Sequence, residues 1–391
     1  MEYIKLREVI SSAKTERCGA SDYPVLSITK SDGVVLQSDK FKKRIASTDT
    51  EQYKLVKRGQ LVQGIHIDEA NFGIQSIVDI GIVSPAYKIW NVDFQKIVPK
   101  YLETVLRSPR SVRYYSSKFN GSVKRRERIA DNDFLAMEIP FPSKEQQQYA
   151  VDVLEKASNM TTLYQQQLQK LDELVKARFV EMFVATDAAS DWPYCTIADV
   201  SNDMRTGPFG SALHHDEFVD SGVFVLGIDN AVENKFSYNR MRYITAEKYQ
   251  ELKRYTVYPG DVIITIMGTV GRSAVIPADM PKAINTKHLA CITPNAKMVN
   301  AQFLSCAFQV HPDIRAQLQK QCKGAIMDGL NLTIIKGLSF HIPPINLQDR
   351  FVGFYEQVDK SKVIEAINKA NILFNITLNG GNRYDIRANE F

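Results

Sequence analysis

The sequence contains no uninterrupted apolar run close to the roughly 18 residues that a membrane-spanning helix needs. Its opening stretch, MEYIKLREVI, carries charges where a secretory signal keeps its apolar segment, so a cytoplasmic protein without membrane attachment is expected. Paired cysteine motifs are also missing. Cys18, Cys195, Cys291, Cys306 and Cys322 form no C-x-x-C spacing, and five cannot all pair within one chain, which points to free thiols in a reducing compartment. The six histidines include one adjacent pair, His214 and His215, and no H-x-x-x-H or H-E-x-x-H spacing, so no metal site is read.

Catalytic signatures are absent in the same way. Methyl transfer to DNA needs a Gly-rich cofactor loop and an N-P-P or D-P-P motif followed by an aromatic residue; Ile342–Ile345, IPPI, has the wrong first residue and no aromatic. No P-loop is present for nucleotide hydrolysis, and no G-x-S-x-G marks a serine nucleophile. Pro312–Asp313 resembles the start of a metal-nuclease motif but no Glu-x-Lys follows it. The chain therefore reads as a non-enzyme with no cofactor of its own.

What is present is a large globular chain with uneven charge. Its 391 residues, 44% hydrophobic, 24% charged and 10% aromatic, exceed one ordinary core and imply two domains. The net charge is only +5, yet between Pro99 and Arg128 Lys100, Arg107, Arg110, Arg113, Lys118, Lys124, Arg125, Arg126 and Arg128 face only Glu103 and Glu127. The run Ser122–Arg128 (SVKRRER), with Tyr114, Tyr115 and Phe119 interleaved upstream, is the strongest electrostatic feature and suits phosphate contact. Arg107, Arg110 and Arg113 stand at roughly helical spacing.

Internal similarity sets the architecture. YPVLSI (Tyr23–Ile28) pairs with VFVLGI (Val223–Ile228), and YKLVKRGQLV (Tyr53–Val62) with YTVYPGDVII (Tyr255–Ile264). PKYLETVLRSP (Pro99–Pro109) pairs with AQFLSCAFQVH (Ala301–His311), and IPFPSKEQ (Ile139–Gln146) with IPPINLQ (Ile342–Gln348). The order is the same and the offset is roughly 200 residues throughout, which identifies a tandem duplication.

Each copy leads into a helical stretch. Lys144–Phe183 has neither Pro nor Gly, and Tyr164, Leu168, Leu171, Val175, Phe179 and Met182 recur at spacings of three and four, as in a coiled-coil seam that binds a partner helix. The second copy supplies Phe351, Tyr355, Val358, Val363, Ile367 and Leu373, but Gly380–Gly381 predicts an earlier end and a shortened helix. The expected fold is α+β: a mixed α/β domain followed by a long helix, duplicated, with the two helices forming an antiparallel coiled-coil spacer. The boundaries are 1–143 for the first domain, 144–186 for the first helix, 187–344 for the second domain, 345–379 for the second helix and 380–391 for a tail.

Three segments in the second copy admit both a binding and a structural reading. In RTGPFGSALHHDEF (Arg205–Phe218), Arg205, Ser211, His214 and His215 are placed to hold a phosphate or reach base edges; alternatively the glycines make turns and Phe209 plugs the core. IMGTVGRSAVI (Ile266–Ile276) is either a nucleotide loop with Arg272 as a phosphate ligand or a tight hairpin, and flanking strand patterns favour the hairpin. Thr286, Lys287 and His288 interrupt an apolar stretch, as exposed strand ends or as base-reading groups. Lys323 adds a further candidate cation.

Taken together, the duplicated order, I-P-x-P-x-x-E-Q at Ile139–Gln146, LVKARFVEMF at Leu174–Phe183, GPFGS at Gly207–Ser211 and YPGDVIITIMGTVGR at Tyr258–Arg272 resemble the specificity subunit of type I restriction-modification systems. The resemblance covers nearly the whole chain. It implies a DNA reader in which each domain reads half of a bipartite sequence and the helices fix the unread spacer. It also implies that the helices dock two methyltransferase subunits, with S-adenosylmethionine, ATP and Mg in partner subunits, including the restriction subunits. The Arg- and Lys-rich first domain against Gln317–Met327 in the second implies an asymmetric target of double-stranded DNA. The alternative is a protein–protein scaffold whose helical rod joins partners and whose basic face is incidental.

Overall fold

The computed structural model describes residues 2–30, 32–40, 50–118, 129–209, 212–322 and 330–384, the last stretch in its backbone alone beyond residue 370. Two compact units divide it: Met1–Tyr164 with Ile367–Phe391, and Gln165–Ala366.

The first unit is organised by a four-stranded antiparallel sheet ordered Ile10–Ser12, Lys88–Val92, Leu61–Gln63 and Phe72–Ile74. The strand Tyr3–Lys5 pairs with Glu138–Pro140 and so ties the start of the unit to the entry of its long helix. Pro99 and Pro109 stand in the first turns of helices Pro99–Leu106 and Pro109–Ser117, where a missing backbone N–H costs nothing. The aromatic core follows from burial: Phe72 stacks on Phe134 at 5.6 Å, and Trp90 lies 5.3 Å from Phe134 while its Nε1 donates to Gln63 Oε1 at 2.9 Å.

The same pairings recur in the second unit. Its antiparallel sheet runs Ser201–Thr206, Leu289–Pro294, Val262–Thr265 and Ser273–Val275, and Tyr194–Thr196 pairs with Ser339–His341. A second sheet contains the parallel pair Val223–Leu226 and Ala283–Asn285; in the first unit the corresponding contact is the parallel bridge Val25–Ile82. Gly59 and Gly260 occupy the matching turn between strands, with φ of 87° and 84°, a left-handed conformation that glycine adopts without strain. Helices Ala301–Val310 and Pro312–Cys322 repeat the helix pair.

The structural register also refines the sequence match. Because Tyr3 pairs with Pro140 and Tyr194 with His341, Pro142 corresponds to Pro343 rather than Ile139 to Ile342. That register aligns Gln147 with Gln348, and both are fully buried at the start of a long helix. Gln147 Oε1 accepts from Val98 N at 2.8 Å and its Nε2 donates to Pro142 O at 2.9 Å. Gln348 Oε1 accepts from Asn300 N at 2.8 Å and its Nε2 donates to Pro343 O at 2.7 Å. Each glutamine thus satisfies the N-cap residue of the first helix of the pair and a proline carbonyl, groups that burial would otherwise leave unpaired.

Helix Lys144–Phe183 has 40 residues, as its composition predicts. The second long helix does not stop early: it also has 40 residues, Ile345–Tyr384, and runs through Gly380–Gly381. Glycine lowers helix stability by about 1 kcal/mol relative to alanine but, unlike proline, blocks no hydrogen bond, so the pair weakens the last turns without ending them.

Within the second unit the two helices run antiparallel. Phe179 meets Phe351 at 5.3 Å, Phe183 meets the same ring at 5.5 Å, and Lys362 Nζ pairs with Asp172 further along. Phe179 and Val175 are therefore buried in the unit's own core, with Leu171 and Met182 packed against it. Within this unit the seam faces the chain's own second helix. Tyr164 and Leu168 are only half-buried.

Candidate nucleic-acid interface

In the second unit, one edge of the two sheets gathers the loops on which sequence reasoning placed binding groups. Thr286 N donates to Leu226 O at 2.9 Å, Ile266 N to His288 O at 3.0 Å, and Leu330 N to Ile266 O at 2.8 Å. These bonds lock together the turn after Val223–Leu226, the loop 286–288 and the turn that begins at Ile266. The last is a hairpin: Val262–Thr265 pairs with Ser273–Val275, and Gly268 and Gly271 take φ of 74° and 81°. The nucleotide-loop reading of that segment falls away, since no helix follows and Thr265 Oγ1 accepts from Arg272 N at 3.0 Å inside the turn.

Lys287 and Arg272 are exposed on this edge and His288 is half-buried. Burial, followed by the positive charges of Lys287 and Arg242, holds the His288 imidazole below its ordinary proton affinity. Arg242, which sequence reasoning passed over, is partly neutralised by Asp229 at 2.7 Å. Its signal was the basic pair Arg240 and Arg242 just before a strand. His214 and His215 lie on an exposed turn, with the His215 ring 5.6 Å from Phe218.

Two expectations on this edge are corrected. Phe209 is no core plug: it is 59% exposed, because Gly207 and Pro208 fill the buried positions before it. Arg205 is not free for a phosphate. It donates to Thr256 O at 2.8 Å, Asp203 Oδ2 at 2.8 Å and Thr293 Oγ1 at 2.9 Å, and closely to Asp261 Oδ2. With 12% of its side chain exposed, and Asp261 at 1%, the pair is a buried structural brace.

In the first unit, Arg107, Arg110 and Arg113 do not form one helical row, because the chain breaks at Ser108 before Pro109 restarts a helix. Arg107 caps the first helix and donates to Lys30 O. Arg110 lies over the Tyr3 ring at 4.5 Å, Lys118 lies 5.9 Å from the Tyr114 ring, and Arg113 and Lys118 are exposed. Lys124, Arg125, Arg126, Arg128, Ser211 and Lys323 lie outside the described residues. Ile129, directly after the basic run, lines a small cavity with Gly64, Ile65 and Ile67 of the first unit's hairpin turn. Ile129 thus stands beside the turn that matches the Ile266 hairpin.

Among the described residues, no group of three or more His, Cys, Asp or Glu could hold a metal ion, and no helix is long and apolar enough to cross a membrane. Cys18, Cys195, Cys291 and Cys306 are free thiols. Burial pushes the Cys306 thiol up to about 12, so it is unreactive at neutral pH.

Comparison with known proteins bears on this geometry. Residues 190–373 match the family model described as type I restriction modification DNA specificity domain. A stretch of 168 residues is 25% identical to the EcoBI specificity subunit of a type I restriction enzyme from Escherichia coli, covering 43% of this chain and 35% of that protein. The chain thus spans about a third of the length of that curated relative. A solved chain, from work on complex assembly and conformational transition of the type I R-M system, is similar with a TM-score of 0.60 at 15% identity, over 98% of this chain and 96% of that one. The S subunit of a type I restriction-modification system from M. genitalium is similar with a TM-score of 0.51 at 13% identity, over 96% and 95% of the two chains. These likenesses are of fold.

Proposed function

We propose that the chain, whose residues 190–373 match the type I restriction modification DNA specificity domain, is the DNA-reading subunit of such a system and performs no catalysis itself. Residues 1–143 and 187–344 are its two target-recognition domains, each reading one half of a bipartite, asymmetric duplex target. The helices Lys144–Phe183 and Ile345–Tyr384 are the spacer that fixes the distance between half-sites.

The observation that carries this reading is the repetition of one loop edge in two units with different side chains. Both edges are built on the same strand pairings, yet the residues that precede Ile129 in the sequence are basic, whereas the second edge presents Lys287, Arg272 and His288. Equal scaffolds with unequal surfaces suit two different half-sites. Phosphate contact supplies affinity and orientation, while side chains at groove edges supply sequence. Once one domain has docked, the other meets its half-site at high effective concentration, so helix length becomes spacer specificity.

The helices also dock two methyltransferase subunits. Leu174, Val363 and Ile364 are 48%, 51% and 58% exposed, apolar surface on the helices that the chain's own core leaves uncovered. S-adenosylmethionine, ATP and Mg serve those partners and the restriction subunits, in the cytoplasm.

Co-expression with methyltransferase subunits and genome-wide mapping of methylated sites tests the proposal. A bipartite motif is expected, and inserting residues into both helices should change the spacer while leaving both half-sites intact. A complex with no salt-sensitive, sequence-selective affinity for duplex DNA would leave only the scaffold reading.

A further inference from the structure

The turn after Ser201–Thr206 is held by a close backbone approach, and an aromatic ring that follows it faces water. A Cβ on Gly207 would sit 2.2 Å from the Asn285 carbonyl oxygen and 2.2 Å from the Thr286 carbonyl carbon, so only glycine allows this approach. Pro208 is buried next to it and its ring fixes φ. Phe209 follows with 59% of its surface exposed. An exposed apolar ring is unfavourable in the free protein, and the constrained backbone that leads to it lowers the ordering cost on binding.

The surroundings indicate what covers the ring. The backbone that Gly207 rests on leads directly into exposed Lys287, and the adjoining hairpin carries exposed Arg272 and Met267, the latter 40% exposed. Asn285 is fully buried, yet its Oδ1, like Thr286 Oγ1 beside it, has no hydrogen-bond partner among the described residues. Cations beside one projecting aromatic ring fit a polyanion with an apolar interior better than an apolar protein groove.

We propose that Phe209 is a wedge that enters the base stack of the half-site read by the second unit, with Lys287 and Arg272 on the flanking phosphates. The wedge contributes affinity and local unstacking, and neighbouring side chains carry base identity. This inference rests on the reading of the chain as a DNA-specificity subunit.

The test uses the full chain in complex with its methyltransferase subunits and the duplex motif found by methylation mapping, with 2-aminopurine placed in turn at each position of that half-site. The native complex should raise fluorescence at one step. Phe209→Ala should abolish the rise and weaken binding roughly tenfold to hundredfold, the scale of one large apolar side chain buried, with the salt dependence unchanged. Phe209→Leu should retain part of both effects. Lys287→Ala should keep the rise but flatten the slope of log affinity against log salt by about 0.9. The wedge is overturned if no position brightens with the native complex, if Phe209→Ala binds DNA as tightly as the native chain, or if that variant instead loses its methyltransferase subunits. Failure of the native complex to select any duplex sequence would instead sink the specificity-subunit reading itself.

Discussion

Arg205 offers the sharpest separation between a binding cation and a structural one. The substitution Arg205→Met removes the charge but keeps much of the stem. It strands Asp261, whose carboxylate is 1% exposed and which also accepts from Thr293 Oγ1 at 2.7 Å and Tyr258 N at 2.9 Å. Removing one partner of a buried ion pair costs ~3–5 kcal/mol, because the remaining charge stays desolvated. For a unit the size of Gln165–Ala366, roughly 2–4 °C of melting temperature is lost per kcal/mol, so the midpoint should fall by about 10 °C. Adding Asp261→Leu should recover part of that loss, since replacing both partners by apolar groups avoids the stranded charge. The salt dependence of DNA affinity, measured below the melting transition, should be the same for native and variant. An unchanged midpoint together with a salt slope flattened by about 0.9 would show that Arg205 holds a phosphate and that the brace described above is wrong.

Two further outcomes follow from groups buried in the fold. Gln348→Leu leaves Asn300 N, Pro343 O and Met298 O without their partner and should destabilise by about 2–4 kcal/mol; Gln147→Leu, which strands Val98 N and Pro142 O, should cost a similar amount. The two share no neighbour, so urea unfolding of the double variant should give their sum to within about 0.5 kcal/mol, and a negligible loss in either single variant would contradict the capping role. His288 and His311 are both held below the ordinary imidazole value of 6.5, in each case chiefly by burial. The unfolded chain therefore binds protons more readily, so stability is full above that value and declines as pH falls through the lowered folded values. His311→Gln should flatten the decline that sets in as pH falls through 6.5, and a melting temperature that rises on acidification would refute the sign.

Features that depend on local chemistry were legible in the sequence. The absence of Pro and Gly over Lys144–Phe183 gave that helix its full length, and the glycines at positions 59, 260, 268 and 271 marked turns that do need left-handed backbone. Features that depend on distant partners were not. Nothing near Arg205 announces Asp261, and without that partner the arginine looks like a free cation. Gln147 and Gln348 resemble solvent-facing residues of a helix start until the strand register shows what they cap. Phe209 has the composition of a core residue, and only the close approach of Gly207 to the 285–286 backbone shows why it projects outward. The end of the second helix was misjudged because propensity weighs glycines without weighing what the preceding turns contribute.

The division of the chain into Met1–Tyr164 with Ile367–Phe391, and Gln165–Ala366, has an effect during synthesis. The unit begun first is completed last. Its opening 164 residues leave the ribosome without their C-terminal segment, whereas the unit formed by 165–366 is contiguous and can close as soon as its own residues are out. The described core of the earlier-born unit lies within Leu6–Val151, so that core can close long before the C-terminal segment grouped with it is made.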